Sequence, residues 1–240
     1  MRSTTVGGAL VIAALGAAPG AARGQDPEAP RAYVGVGFIG LDPIGELQRL
    51  IDQGFGGQLY AALPVAGDAR VRLRGDFGFL IYGHERLDYC FTLPVGCRIG
   101  LDLTTTNSIV FGGLGPEIVF GSDRLQPYLN GSAGFAYFAT TSHLNGDGGG
   151  EDFGNTTNHD DGVFAWRVGG GARLRMRGGP KPLFLDFGVE RHDNGVAEFL
   201  TEGDIVDNPD GSVTLFPNRS EANLLTFRIG VTFGLPRGSD

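Results

Sequence analysis

From residue 32 onward, the chain contains short segments in which apolar residues alternate with polar or small ones. Alternation with a period of two is the pattern of a β-strand, because successive side chains of a strand point to opposite faces. Each segment is long enough to cross a bilayer when it is tilted. Eight strands are predicted, at approximately residues 32–41, 54–65, 69–83, 106–121, 125–141, 162–177, 182–193 and 222–235.

The last segment shows the alternation most clearly. One face carries Leu225, Phe227, Ile229, Val231 and Phe233, and the other carries Thr226, Arg228, Gly230 and Thr232. The third and sixth segments also place apolar residues on one face and Arg, Asp or Gly on the other. A soluble barrel or sandwich would show the same alternation, so the pattern predicts strands without saying which face is inside.

The connections between the predicted strands alternate in length. The short ones are residues 66–68, 122–124 and 178–181, and the long ones are approximately 42–53, 84–105, 142–161 and 194–221. Bacterial outer-membrane barrels have this arrangement, with short periplasmic turns and longer extracellular loops. A soluble lipocalin-like barrel also has eight strands, but it needs a large apolar interior, whereas one face of these segments holds Arg, Asp, Glu and Gly. The sequence therefore predicts an all-β fold, an eight-stranded antiparallel up-and-down transmembrane β-barrel.

Acidic residues are concentrated in the long connections. The chain has 27 Asp and Glu residues against 19 Lys and Arg residues, a formal net charge of -8. The four long connections and the adjacent Asp193 contain 18 of the acids and four arginines, so they carry -14 and the rest of the chain carries +6. A nucleic-acid partner would need a surplus of Lys and Arg on the surface. We therefore expect acidic extracellular loops and no nucleic-acid partner.

The N-terminal residues have the features of an export signal. Arg2 precedes a mainly apolar run at residues 6–18, and Ala22-Arg23-Gly24 fits a signal-peptidase site. Residues 1–24 are predicted as a signal peptide, and residues 25–240 as one outer-membrane β-barrel domain. No later apolar stretch reaches about 18 residues, so membrane insertion has to be by strands.

Two cysteines, Cys90 and Cys97, lie in one of the long connections. In an exported chain such a pair meets an oxidising compartment, where a disulfide can close. A zinc site is the competing interpretation, but two thiols seven positions apart with no histidine between them have poor zinc spacing. A disulfide is therefore predicted, and neither a metal nor a cofactor is.

The predicted architecture resembles the small outer-membrane barrels of the OmpA transmembrane-domain, OmpX and Opacity-protein type over about residues 32–235. The last strand carries the most specific likeness, because Arg228-x-Gly230-x-x-Phe233-x-Leu235 resembles the C-terminal signal read by the barrel assembly machinery. That signal usually ends on an aromatic residue, where this chain has Leu235 followed by five more residues. The resemblance implies a location in the cell outer membrane, with lipid, lipopolysaccharide and the assembly machinery as partners.

Charged residues on the inward face are predicted to fill the barrel, because eight strands enclose a space just wide enough for side chains. Charges removed from water have to be paired, so an ion-pair network is expected. Its members are Arg70, Arg72, Arg74, Asp76, Glu117, Arg167, Arg173, Arg175, Asp186, Glu190 and Arg228. A narrow pore is the alternative, and the arginines near the periplasmic ends of the third and sixth strands could attract anions.

His192 and Glu190, at the outer end of the seventh strand, are the candidates for catalysis. A histidine beside carboxylates in a membrane barrel resembles lipid A deacylases of the PagL type. Those enzymes place His and a nucleophilic Ser two positions apart, whereas Asp193 and Asn194 follow His192 here and no Ser stands where the nucleophile should be. Without a nucleophile beside the base, acyl transfer by that mechanism fails. No catalytic residue is assigned, and a lipid-modifying hydrolase remains an alternative function.

Three further predictions concern loops and aromatic residues. The turn sequence Asn208-Pro209-Asp210-Gly211 predicts a β-hairpin in the last long connection, and Val206 breaks the calcium-loop spacing there. The Gly- and Asp-rich residues 145–161 are expected to form a mobile loop. Aromatic girdles are expected at the strand ends. The candidates for them are Trp166, Tyr33, Tyr60, Tyr82, Tyr128 and Tyr137.

Taken together, these patterns predict a structural or surface-interaction protein, adhesin-like, that acts through acidic extracellular loops on an unidentified ligand.

Overall fold

The computed structural model describes residues 30–65, 70–93, 96–121, 124–146, 152–208, 210 and 212–236, and only the backbone of residues 89–93, 96–101, 152, 153 and 207. The predicted signal peptide lies outside the described residues. The strands are β1 Ala32–Pro43, β2 Gly54–Pro64, β3 Val71–Leu93, β4 Gly96–Val119, β5 Leu125–Gly146, β6 Asp152–Arg177, β7 Leu183–Asp193, β8 Val196–Phe199, β9 Ile205–Asp207, β10 Val213–Leu215, β11 Asn218–Glu221 and β12 Leu224–Leu235. A single 3-10 turn, Leu47–Arg49, lies between β1 and β2.

Eight strands, β1 to β7 and β12, form a closed antiparallel barrel in which β1 to β7 pair in chain order and β12 pairs with both β7 and β1. The ring closes between the first and last of them: Tyr33 of β1 is opposite Ala62 of β2 on one side and Gly234 of β12 on the other. The predicted eight-stranded up-and-down fold is confirmed. Closure satisfies the backbone hydrogen bonds of the wall without leaving an edge in lipid.

The outer wall is apolar and the interior contains the charges. Phe38, Leu59 and Phe164 are 56%, 55% and 70% exposed on the outside, while Arg74 and Arg173 are buried inside. A protein in water has the opposite arrangement, so this wall faces lipid. The protein is an outer-membrane β-barrel, as predicted. In the described parts of the chain, no helix is long and apolar enough to cross a membrane.

The barrel wall is much taller on one side. β3, β4, β5 and β6 have 23, 24, 22 and 26 residues, whereas β1, β2, β7 and β12 have 11 or 12. A tilted strand crosses the membrane with about 9–11 residues. The four long strands therefore continue into the extracellular space as a twisted sheet, which we call the extension.

The extension corrects two predicted loops. Most of residues 84–105 and 142–161 is strand, and the loop predicted to be mobile at residues 145–161 is already β6 from Asp152. Hydrogen bonds between polar residues stabilise these strands, such as the one between the hydroxyls of Thr105 and Ser142 at 2.8 Å. Above the membrane both faces of the sheet contact water, so the alternation of apolar and polar residues disappears although the strands continue.

The last long connection forms two nested strand pairs. β8 pairs with β11, and within them β9 pairs with β10, so the predicted hairpin is confirmed. At its tip, the N–H and hydroxyl of Ser212 donate to the Asp210 carboxylate at 3.0 and 2.6 Å. These hydrogen bonds hold the pKa of the Asp210 carboxyl below its ordinary value.

The extracellular half of the interior is an apolar core rather than a continuation of the charges. Ile39, Leu80, Phe111 and Phe138 are almost fully buried there. Residues from the connections close this core from above: Leu47 and Ile51 from the first, and Ala197, Phe199 and Leu200 from the last. The prediction that charged side chains fill the barrel therefore does not extend to this half, which apolar side chains fill.

Candidate functional site

Glycines on the inward face make room for large charged side chains in a narrow barrel. Gly113 of β4 lies opposite Gly134 of β5, and the guanidinium of Arg167 lies against Gly113. Arg167 Nη2 donates to Asp76 Oδ2 at 2.6 Å, and both side chains are fully buried. A side chain at Gly113 would occupy the space that this ion pair uses, and one at Gly134 would meet the backbone of β4.

Glu117 of β4 is the centre of an ion cluster near the periplasmic end. Arg173 donates to both of its carboxylate oxygens, at 2.9 and 2.6 Å. Arg72 and Arg74 of β3 approach the same carboxylate at 3.3 and 3.2 Å. The Glu117 side chain has no exposed surface, so these three arginines replace water around it completely. Forked, two-bond pairing of this kind is the strong form of an arginine–carboxylate contact.

Asp186 of β7 is held mainly by tyrosines. The hydroxyls of Tyr60 and Tyr128 donate to its two oxygens at 2.6 and 2.8 Å. Arg173 Nε donates to it at 3.2 Å, and the Thr232 hydroxyl at 3.1 Å. Residues from five strands therefore meet at one carboxylate, which connects opposite sides of the barrel wall through its interior.

Glu190 of β7 occupies the next layer towards the outside of the cell. Arg74 and Arg228 approach its Oε1 at 3.3 Å each, and Asn130 donates to the same oxygen at 3.0 Å. Gln58 donates to Oε2 at 3.4 Å. Because Arg74 bonds both Glu117 and Glu190, it joins the two clusters into one network.

The arginines of the network also stack on aromatic rings. The guanidinium carbon of Arg72 lies 3.7 Å from the Tyr33 ring centroid, and that of Arg74 lies 4.0 Å from the Tyr60 centroid. Such contacts stabilise a desolvated cation by about 2 kcal/mol or more. The interior is thus filled by paired charges and rings, and the network has five arginines against four carboxylates.

Two of the predicted network residues lie apart from it. Arg70 precedes β3 and is exposed, so it does not lie in the interior. Arg175 is half-buried at the periplasmic rim, with its guanidinium carbon 5.6 Å from the Phe184 ring centroid. Both residues are near the strand ends, where the inward face meets water.

The sequence interpretation missed the tyrosines that hold the network. Tyr33, Tyr60, Tyr82 and Tyr128 are buried, so their expected place in aromatic girdles is wrong, whereas Trp166 and Tyr137 do lie on the outer wall. The alternation of the strands could have placed two of these tyrosines correctly. Residues two positions apart in a strand face the same side, so Tyr60 faces the interior with Gln58, and Tyr128 faces it with Asn130.

His192 lies inside the barrel, at the boundary between the network and the apolar core. It is 1% exposed, its Nε2 lies 3.1 Å from the Thr226 hydroxyl, and its ring meets Phe111 edge-on at 5.0 Å. Glu190 Oε2 lies 4.0 Å from the same Nε2. No lipid on the outer wall can contact this pair, since both side chains point away from it.

The remaining predicted residues are Cys90 and Cys97, whose side chains lie outside the described residues. In the described parts of the chain, no group of three or more His, Cys, Asp or Glu side chains is placed to hold a metal ion.

The extracellular surface combines acidic and exposed apolar residues. A recess of about 150 Å³ between the first connection, β3 and the last connection is lined in part by Asp52, His84, Glu85 and Glu202. Apolar side chains are exposed on the β9–β10 hairpin of the last connection and next to it. These side chains are Val206, Val213 and Phe216, which are 42%, 54% and 58% exposed.

No protein-family model matches the chain, and no curated protein sequence does. Among solved structures, it is similar to Neisserial surface protein A (14% identity, TM-score 0.42, covering 85% of this chain and 97% of that one). It is also similar to Ail, the attachment invasion locus protein of Yersinia pestis (12% identity, TM-score 0.43, covering 85% of this chain and 98% of that one). The outer membrane protein OprG of Pseudomonas aeruginosa is a third similar structure (13% identity, TM-score 0.45, covering 87% of this chain and 98% of that one). At these identities the likeness concerns the fold alone.

Proposed function

We propose that the protein is a surface-interaction protein of the outer membrane, adhesin-like, whose extension and last connection bind a cationic partner outside the cell. The observation that carries this proposal is the height of the extension. Four strands continue roughly ten residues beyond the membrane span, which the barrel itself does not need for insertion.

Charge indicates the chemistry of the partner. On the last connection and the extension, Asp88, Glu198, Glu202, Asp210 and Glu221 are exposed. The same connection exposes apolar side chains on both faces of its hairpin, since Val206 pairs with Thr214 and Val213 pairs with Asp207. Exposed apolar side chains beside charged ones are typical of an interaction surface. A partner with basic and apolar groups, such as a basic protein or peptide, fits this surface.

The interior supports an anchoring role for the barrel over the two alternative functions. A pore would need an open path, whereas the network and the apolar core fill the lumen in succession. A deacylase acting through His192 would need access from the lipid, and the side chain is enclosed by β4 and β12 residues.

The test is binding of an oligolysine peptide to the full chain in nanodiscs, measured on a biosensor with an oligoglutamate peptide as the opposite probe. We expect binding of oligolysine only, weakening as salt is raised. Exchanging Asp88, Glu202, Asp210 and Glu221 for their amides should weaken it by about tenfold or more. The control exchanges the periplasmic-side residues Arg31, Arg124 and Arg177 for Gln. Equal binding of both probes, or no loss in the acidic variant, would contradict the proposal.

A further inference from the structure

The periplasmic rim carries a basic groove that the surface function does not use. Arg124 lies just before β5, and Arg175 and Arg177 lie at the end of β6. The N–H of Arg175 donates to the carbonyl oxygen of Arg124 at 2.8 Å, which places these two residues side by side. Together with Met176 and Gly178, the three arginines line an open cavity of about 240 Å³.

Apolar side chains lie directly on the membrane side of this groove. Leu125 of β5 and Leu174 of β6 are paired in the sheet and are 48% and 39% exposed on the outer wall. Met176 and Leu129 extend the column in both directions, at 62% and 58% exposed. The groove is therefore the point at which lipid-facing wall and basic rim meet.

The charge of the groove suits a phosphate. Among its described lining residues there are three arginines and neither Asp nor Glu. Arg177 Nη2 donates to the carbonyl oxygen of Lys181 at 3.3 Å, which holds this guanidinium beside the β6–β7 turn, where Lys181 is exposed. Guanidinium groups bind phosphate oxygens through two parallel N–H donors, and they do so better than an ammonium.

We propose that this groove binds an anionic diacyl phospholipid of the periplasmic leaflet, with the phosphate between the exposed guanidinium groups of Arg124 and Arg177. Its acyl chains lie along the column of Leu125, Leu174 and Met176. The apolar column favours a lipid over a soluble phosphate, because a soluble anion would leave that column without a partner.

The test uses native mass spectrometry of the folded full chain in detergent, titrated with phosphatidylglycerol or with phosphatidylcholine of the same acyl chains. Wild type should bind phosphatidylglycerol about tenfold more tightly. The double variant Arg124→Gln/Arg177→Gln should lose this preference. Arg175 is kept because its guanidinium packs on Phe184. Arg31→Gln, an exposed arginine elsewhere on the same rim, is the matched control and should leave the preference unchanged.

Three results would overturn the proposal: equal binding of the two lipids by wild type, an equal loss in R31Q, or full competition by glycerol 3-phosphate at the lipid's own concentration. The last result would identify a soluble-anion site. Folding of each variant is checked by its gel migration before and after boiling. If the double variant does not fold, R124Q and R177Q are compared singly, since each arginine is exposed.

Discussion

Glu117 holds three arginines in the interior with one carboxylate. Exchanging Glu117 for Gln would leave Arg72, Arg74 and Arg173 without this counter-charge in a space closed to water. We expect a loss of about 3–5 kcal/mol in the free energy of unfolding, the usual cost of removing one partner of a buried ion pair. Urea unfolding in lipid vesicles, followed by the fluorescence of the single tryptophan, Trp166, measures it.

The matched control for this prediction is Glu198→Gln, which removes an exposed carboxylate 3.9 Å from Arg219. A surface pair of this kind contributes about 0–1 kcal/mol. If the two variants lost the same stability, the network would not be a stabilising element.

The interior glycine pair, Gly113 and Gly134, leads to a second prediction about stability. A Cβ atom at position 134 would lie 2.6 Å from the Cα of Gly113, which is backbone and cannot move aside cheaply. Gly134→Ala should therefore destabilise the barrel by about 1–3 kcal/mol. Gly40→Ala, where nothing lies within 4 Å, should be neutral or slightly stabilising. The measurement is the urea midpoint of unfolding of each variant against wild type. An equal decrease of the midpoint in Gly40→Ala and Gly134→Ala would contradict the steric argument.

The direction of an individual side chain was predictable where the alternation along its strand determines whether it faces lipid or the interior. The inward positions of Arg74, Glu117 and Arg228 follow from counting along one strand. Their partners do not, because Glu117 on β4 meets Arg173 on β6 across the lumen, and that contact depends on the registers of three strands together. A single sequence defines each strand's faces but not how strands are offset from one another.

At the scale of elements, β8 is the part of the last connection that enters the barrel. Phe199 stacks on Phe138 at 5.8 Å and meets Tyr82 edge-on at 6.2 Å. Phe199→Ala should remove about 3–5 kcal/mol of packing from this contact. We expect faster amide hydrogen exchange at 196–199 and 218–221, with β1 to β7 unchanged, because the connection then opens locally.

Val196→Ala is the control for the β8 prediction, since this residue of the same strand is 50% exposed. Uniformly faster exchange throughout the barrel in Phe199→Ala would instead make β8 part of the global fold. Unchanged exchange would show that the connection is held by other contacts.

The strand segments that lie within the membrane were predictable from the sequence, whereas their continuations outside it were not. Lipid on one side and a packed interior on the other impose the period of two on residues 225–233, and the predicted strand matches β12. The continuation of β4 through residues 96–105 lacks that constraint. The apolar core was missed for a related reason, because Leu47 and Phe199 belong to connections, where periodicity carries no information about burial.

For the whole molecule, the filled interior predicts the absence of conductance. Planar bilayers containing the folded protein should stay at the baseline current, because the network and the apolar core block the lumen in two successive layers. Barrels with a true aqueous channel have about 16 strands or more. Stepwise openings in wild type would contradict this, and the unboiled protein's altered migration on a denaturing gel confirms that the material tested was folded.

The pairing of β1 with β12 has a consequence for biosynthesis. Since the two ends of the chain form the same seam, the ring cannot close until residues 224–235 have been delivered. A chain cut short before that point would present two unsatisfied edges, those of β1 and β7, at the same time. The barrel therefore forms only in a chain that includes β12, because without this strand the sheet keeps two open edges that lipid cannot cover.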